Sequence, residues 1–367
     1  MDIQFVDLQR QYQKYKRDID AQMQDVITHS SFIMGQQVEE LENQLAKFVG
    51  SQYAIGCSSG TDALLLALMA YEIGPGDEVI TTPFTFIATA EVIAHLKATP
   101  VFADIQPETF NIDPRKIEAA VTKKTRGIIA VDLFGQCADY DEIHTIAKKY
   151  NFFVIEDAAQ SFGAEYKGKK ACSLTEISCT SFFPAKPLGC FGDGGMIFTD
   201  DDEKAEIIRS LRLHGKGSHK YDIHRIGINA RLDTLQAAIV LAKFKYFPQE
   251  IELRNHAASV YTQQLGDIVV TPKILKHNKS TFAQYSILTE RRDELQDYLK
   301  KQGIPTAIHY PKALHLQKAL AYLGKRQGDF PITEKMCQNI LSLPMHPYIT
   351  DEEINFIVKS IQKFFEK

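Results

Sequence analysis

The stretch FFVIEDAAQSFGAEYKGKKACSLTEISCTSFFPAKPLGCFGDGGMIFTDD, residues 152–201, decides how the chain is read. Lys186 sits at its heart, between Pro184 and Pro187, with Gly189 just beyond. Proline fixes φ, removes a backbone donor and drives the residue before it out of helical conformation. The lysine is therefore expected on a stiff, non-helical turn. Phe182, Phe183, Leu188 and Phe191 flank it and predict a turn that is at least partly buried. Burial strips an ammonium of hydration, so the pKa falls and the neutral amine becomes nucleophilic. Such an amine can form an imine with a carbonyl.

Outward from the lysine, FFVIED reads as a short apolar strand ending in Glu156-Asp157, the end where α/β sheets present ligand-binding side chains. A carboxylate at Asp157 could keep a pyridine nitrogen protonated, which makes pyridoxal phosphate an electron sink. Gln160 could donate to the ring hydroxyl, and Ser181 could bond a phosphate oxygen. Each has an ordinary alternative: a lysine between prolines is often a plain loop residue, and an Asp after a strand is often a helix cap. The combination is rarer than its parts.

Bulk properties narrow the field. The chain has 367 residues, 44% hydrophobic and 24% charged, which is the make-up of a globular protein of about two domains. A net charge of −4 offers no basic field for nucleic acid or an anionic membrane. No segment approaches the roughly 20 apolar residues of a membrane span. MDIQFVDLQRQYQKYKRD lacks a positive n-region leading into an apolar core, so no secretory signal is expected. Cys57, Cys137, Cys172, Cys179, Cys190 and Cys337 contain no CxxC pair, which argues against zinc and disulfides and predicts a reducing cytoplasm. HExxH and a Walker A loop are absent, and GCFGDGG is not GxGxxG. No metal site is expected.

Along the chain, residues 8–29 and 36–49 have helical periodicity, the second ending at Gly50. Tyr53 to Cys57, EVITT, PVFAD, RGIIAVDLF, FFVIED and GMIFTD read as strands, with helical runs between most of them. That alternation implies a largely parallel sheet covered on both faces. RLHGKGSHKYDIHRIGIN reads as a long exposed loop. Residues 232–265 are expected as a helix in two pieces broken at Pro248. We expect a domain boundary near residue 246, giving a large domain over 1–245 with an N-terminal helical segment and a small C-terminal α+β domain over 246–367. In the latter, VVTP, TFAQYSILT and IPTAIHYP suggest strands, and RRDELQDYLKKQG, 334–341 and 351–365 helices.

With D-A-A-Q-S-F-G-A, S-F-F-P-A-K-P-L-G and G-D-G-G in hand, the chain closely resembles the sugar-nucleotide aminotransferases of the DegT/DnrJ/EryC1/StrS family. The resemblance runs from FIMGQQVEELE to LPMHPY. It implies the α/β, pyridoxal-phosphate-dependent fold type I of aspartate aminotransferase, with a mostly parallel seven-stranded sheet. Ser58-Ser59-Gly60-Thr61-Asp62 opens a helix, an arrangement that suits an anion or a simple N-cap equally well; the resemblance puts the cofactor phosphate at Gly60 and Thr61. It also implies that Phe86 stacks on the pyridine ring, although taken alone Phe86 reads more readily as a core residue. Asn229 matches a residue that reaches the partner subunit's cofactor phosphate, and Arg231 one near the substrate, with a salt bridge to Asp233 or a neighbouring helix as the alternative. His309 and Tyr310 match substrate contacts, although a His-Tyr pair at a strand end is more often structural. Ala313 stands where many relatives have proline.

The resemblance implies transamination, because dehydratases of the family carry histidine in place of Lys186. The amino donor is L-glutamate and the acceptor a keto-sugar nucleotide, in a homodimer whose active sites are shared. SFFPAKPLGCFGDGG, GQCAD, NARLDTLQAA and LPMHPY most resemble enzymes that aminate UDP-2-acetamido-2-deoxy-3-oxo-glucuronic acid for lipopolysaccharide or other surface polysaccharide. A 3- or 4-keto-6-deoxy sugar nucleotide is the alternative, and a non-enzymatic regulator on the same scaffold a remote one.

Overall fold

The computed structural model describes residues 2–219 and 221–366. Helix α1 (Leu8–His29) starts where the Asp7 carboxylate accepts the Arg10 N–H at 2.8 Å. Helix α2 (Gln36–Val49) stops at Gly50, whose φ of 86° suits a residue without Cβ. Strands β1 (Tyr53–Cys57), β2 (Glu78–Thr81), β3 (Thr99–Phe102), β4 (Thr125–Val131), β5 (Phe153–Asp157), β6 (Ile177–Ser181) and β7 (Gly195–Thr199) follow. Helices α3 (Gly60–Ala70), α4 (Ala88–His95), α5 (Pro114–Ala120), α6 (Tyr140–Tyr150) and α7 (Asp202–Leu211) lie between and after them.

The seven strands form one sheet in the order β1-β7-β6-β5-β4-β2-β3. It is parallel from β6 through β3, and β7 runs antiparallel to both neighbours. This is the mostly parallel α/β sheet expected. Alternation of side chains sorts the interior strands into two cores. Ile128, Ala130 and Val154 enter a cluster with Leu41, Leu45 and Phe198, while Ile129 and Ile155 enter the opposite one with Leu66 and Leu68. Both faces are covered, which is why β4 and β5 read as almost unbroken apolar runs.

Helices α8 (Thr234–Phe244) and α9 (Phe247–Leu265) are the two expected pieces, but they part at Lys245-Tyr246. Pro248 lies inside the first turn of α9, where its missing N–H has no intrahelical partner to lose. Beyond it, β8 (Tyr285–Leu288) pairs antiparallel with β9 (Ile340–Leu343). Helices α10 (Arg292–Lys301) and α12 (Asp351–Phe365) pack with α9 over a separate apolar cluster that includes Tyr261, Leu295, Ile354 and Ile361. Thr350 and Glu353 cap α12 reciprocally.

Three expectations are corrected here. The helix expected over 334–341 is α11 (Pro331–Asn339), and Ile340 to Leu343 is a fully buried strand instead. Among the described residues, IPTAIHYP joins the sheet only through Ala307 against Ser342, since Pro305 and Pro311 have no N–H to give a ladder. VVTP likewise contributes one bridge, Val270 to Leu288. The long loop is irregular as expected, held by bridges Leu213–Asn229 and Lys216–Ile223; its Lys220 lies outside the described residues. All six cysteines are free and buried. Among the described residues no helix is long and apolar enough to cross a membrane.

Candidate active site

The carboxyl ends of β5 and β6 open into a cavity of about 600 Å3, closed from the other side by the N-terminus of α3 and by His309 and Tyr310. Lys186 lies on its wall in a non-helical turn, as expected. Phe182 and Leu188 anchor that turn in the core, so it is partly buried as expected, whereas Phe183 and Phe191 are exposed. Phe183 lines the cavity beside Lys186, and the Phe191 ring centroid lies 5.4 Å from Lys243 Nζ. The amine of Lys186 is pushed below the ordinary lysine value by burial, and the charge of Asp157 only partly opposes this.

Asp157 is the last residue of β5 and is 5% exposed. Thr89 donates its hydroxyl to one carboxylate oxygen at 2.8 Å, and the Ala159 N–H donates to the other at 3.2 Å. Burial still raises its pKa above the usual carboxylate range. In the open cavity, burial thus drives Lys186 and Asp157 alike toward their neutral forms. A cation seated against Asp157 reverses this, because opposite charge at close range favours the carboxylate.

The side chain of Gln160 is oriented by its own bonds. Its Oε1 accepts the Phe134 N–H at 2.7 Å, leaving the amide nitrogen to donate to the Tyr310 hydroxyl at 3.1 Å. Tyr310 packs edge-on against Phe84, and burial raises its pKa, so it stays a neutral phenol. The peptide bond joining it to His309 is cis. His309 meets the Ser342 hydroxyl through Nδ1 at 3.0 Å. Burial, then the charge of Lys186, lowers the pKa of His309, which favours the uncharged imidazole.

At the opposite end, Ser59 caps α3 by accepting the Asp62 N–H at 3.0 Å. The N–H groups of Gly60 and Thr61 have no acceptor among the described residues. Both residues line the cavity next to Ser181. A Cβ on Gly60 would come within 2.7 Å of the Ser181 Cβ, so only glycine lets the helix end approach the strand end. Free amides, a helix dipole and a hydroxyl make an anion cradle. Phe86 lines the same cavity with 56% of its surface exposed, so it is not the core residue that it resembled in isolation.

A chain profile of the DegT/DnrJ/EryC1/StrS aminotransferase family matches residues 13–362. The chain belongs to this family. The aminotransferase is 50% identical over 360 residues, 98% of its length and 99% of the relative's, to UDP-2-acetamido-2-deoxy-3-oxo-D-glucuronate aminotransferase of Pseudomonas aeruginosa. It is 47% identical to a pleiotropic regulatory protein of Geobacillus stearothermophilus, over 100% and 99% of the two chains. A crystal structure of a family member from Brucella abortus, 42% identical, superposes with a TM-score of 0.97 over the whole of both chains. The Bacillus subtilis protein NtdA with bound cofactor PMP, 31% identical, superposes at 0.91 over 96% of this chain and 82% of that one.

The cofactor of the aminotransferase is pyridoxal 5′-phosphate, and the residues present fit it. The amine of Lys186, the carboxylate of Asp157, the exposed ring of Phe86 and the anion cradle of Gly60, Thr61 and Ser181 share one cavity. Asn229 and Arg231 do not line it. Asn229 is exposed, and Arg231 is half-buried, bridges Cys57 through its backbone and forms no ion pair with Asp233 among the described residues. Sequence reasoning missed Thr89, Asp193 and Gln284. Thr89 follows Phe86 by three residues, and Asp193 is the acid of the quoted GDGG; Gln284 had no local signal. A larger cleft of about 960 Å3 lies against α9, but its charged Glu165 is already paired with Lys170 and Lys279, both at 2.8 Å.

Proposed function

We propose that this aminotransferase moves the amino group of L-glutamate to C3 of UDP-2-acetamido-2-deoxy-3-oxo-glucuronic acid, making a 3-amino sugar for a surface polysaccharide in the cytoplasm. The observation that carries the reading is the placement of an amine with lowered pKa, Lys186, beside the buried acid Asp157 in one cavity with an anion cradle. Identity of 50% with the Pseudomonas aeruginosa enzyme over nearly both full lengths supports the choice of sugar.

The cofactor supplies an aldehyde that carries the amino group between the two substrates, and a ring that spreads negative charge developing at the reacting carbon. Asp157 favours a positive charge on the ring nitrogen. Lys186 Nζ, whose hold on a proton is weakened by burial, takes a proton from the glutamate carbon and later delivers one to the sugar carbon. Gln160 offers its remaining amide hydrogen to the ring hydroxyl, and Gly60, Thr61 and Ser181 hold the phosphate. The neutral His309 and Tyr310 donate to the sugar nucleotide from above.

We further propose a homodimer in which Asn229 completes the partner's phosphate site and Arg231 approaches the sugar, with a domain boundary near residue 246. The exposure of Asn229 and of the apolar Phe32, Ile33, Ile223 and Ile226 supports the dimer. The separate cluster under α9, α10 and α12 supports the boundary.

The test supplies glutamate with either the 3-oxo-glucuronate nucleotide or a neutral 3-keto-6-deoxy sugar nucleotide. Amination of the first at much higher kcat/KM is expected. Preference for the neutral sugar overturns the substrate assignment. Lys186→Ala should abolish both turnover and borohydride-stable cofactor attachment; a colourless wild type that turns over neither sugar returns the chain to the regulator reading.

A further inference from the structure

The turn that carries Lys186 is gripped from behind by a single helix. On α8, Gln236 Oε1 accepts the Phe191 N–H at 2.9 Å. Two helical turns later, Lys243 Nζ donates to the carbonyl oxygen of Gly189. The remaining closures are internal to the turn: the Lys186 N–H donates to Phe183 O, and the Cys190 N–H to Phe182 O, each at 2.8 Å. A Cβ on Gly189 would lie 2.5 Å from Pro184 O and 2.6 Å from Phe183 O. This limb therefore packs backbone on backbone, and no side chain of Gly189 can anchor it. The anchor has to come from elsewhere, and α8 provides it.

Lys243 is an unusual choice for a core position. It is 1% exposed and forms no ion pair among the described residues. Burial lowers its pKa to about 8, while Glu250 attracts the charge from a distance and Arg254 opposes it. The carboxylate of Glu250 is itself taken up by the Gln11 amide at 3.1 Å and by the Tyr348 hydroxyl. An ammonium buried without a close counter-ion burdens the folded state. Methionine has similar length and would fill the same space without that burden. What lysine adds is the donor to Gly189 O and an ammonium 5.4 Å from the ring centroid of Phe191, on the same limb of the turn.

We propose that Lys243 is a positioning residue for the reaction: by holding the Gly189 carbonyl it fixes the reach of Lys186 Nζ toward Asp157 and the cofactor's aldehyde. The proposal rests on the aminotransferase reading above. Its energetic signature differs from that of a stabilising core residue, because Lys243 weakens the fold while sharpening the site.

The experiment compares wild type with Lys243→Met in three measurements. They are the rate at which cofactor-free protein captures pyridoxal 5′-phosphate, followed by absorbance and borohydride trapping at Lys186; the melting midpoint of cofactor-free protein; and kcat with KM. Capture rate and kcat are expected to fall about 10- to 100-fold, since roughly 1 Å of misplacement has that effect. KM should change little, and the midpoint should hold or rise. Lys243→Gln, which keeps a donor without the charge, should recover part of the capture rate. Capture and kcat within about twofold of wild type overturn the proposal, as does a midpoint that falls in step with them. If the methionine variant does not fold, Gln236→Leu decides by cutting the other grip, and an unchanged capture rate there overturns the proposal. A wild type that captures no cofactor at Lys186 fails earlier and sinks the aminotransferase reading itself.

Discussion

Asp157 shows how one residue can serve chemistry and cost stability. Its pKa is raised in the folded protein by burial, whereas an unfolded Asp ionises near about 3.9. The folded chain thus keeps a proton that the unfolded chain has lost. The stability this contributes is complete below the unfolded value and disappears as pH rises through the folded one. Asp157→Asn cannot ionise, so the cofactor-free variant should melt no lower than wild type at neutral pH and should show a flatter dependence on pH. Its kcat should fall about 10²- to 10³-fold, as expected when a preorganised charge is removed. Thermal melts from pH 5 to 8 beside steady-state assays check both halves; a lower midpoint with unchanged kcat contradicts them. Lys186 and Asp157 were legible in the sequence because prolines and a strand end fix their backbones. Gln284 was not, because its place in the cavity follows from tertiary packing, and Phe86 could not be separated from other phenylalanines without its exposure.

At the scale of elements, β4, β5 and β6 are tied together behind the cavity by two buried acids. Asp132 accepts the Ala138 N–H at 2.8 Å and the hydroxyls of Tyr140 and Ser161 at 2.9 and 3.0 Å. Glu156 accepts the Cys172 and Leu174 N–H groups and the Ser178 hydroxyl. Burial raises both, Asp132 to about 6 and Glu156 further through the charge of Asp132. Their joint contribution to stability therefore diminishes as pH rises through these values. Asp132→Asn keeps an oxygen for Ala138 and Tyr140 and offers an amide to Glu156, so denaturant melts should show less loss of stability between pH 6 and 8. Asp132→Ala instead strands three donors and should cost about 1–3 kcal/mol for each that finds no other acceptor. Long periodic elements such as α1, α2 and β5 were readable within a residue or so. Ile340 to Leu343 was not, since a short, mostly apolar stretch such as Ile-Leu-Ser-Leu fits a helix end and a buried strand alike until β8 lies beside it.

For the whole molecule, a single chain accounts for the cavity but leaves Asn229 away from it. The role proposed for Asn229 therefore rests on resemblance: no spacing within one chain reveals what a second copy would bring. A shared site has an arithmetic consequence. In the proposed homodimer, co-expressing Lys186→Ala with Asn229→Ala subunits would make about half the dimers mixed, each with one intact site. If each parent variant is nearly inactive, the mixture should regain about a quarter of wild-type activity. Activity that only averages the two parents contradicts sharing.

The burial of every thiol gives the protein an internal clock. None of the six sulfurs is open to a reagent in the native state, so a thiol-reactive dye should stay dark and brighten only as the chain opens. Cys57 Sγ donates to the carbonyl oxygen of Ser59, the residue that caps α3, so its labelling should slow more than that of Cys337 when pyridoxal 5′-phosphate is added. Mass spectrometry of the tagged peptides would then map which part of the molecule the vitamin keeps shut.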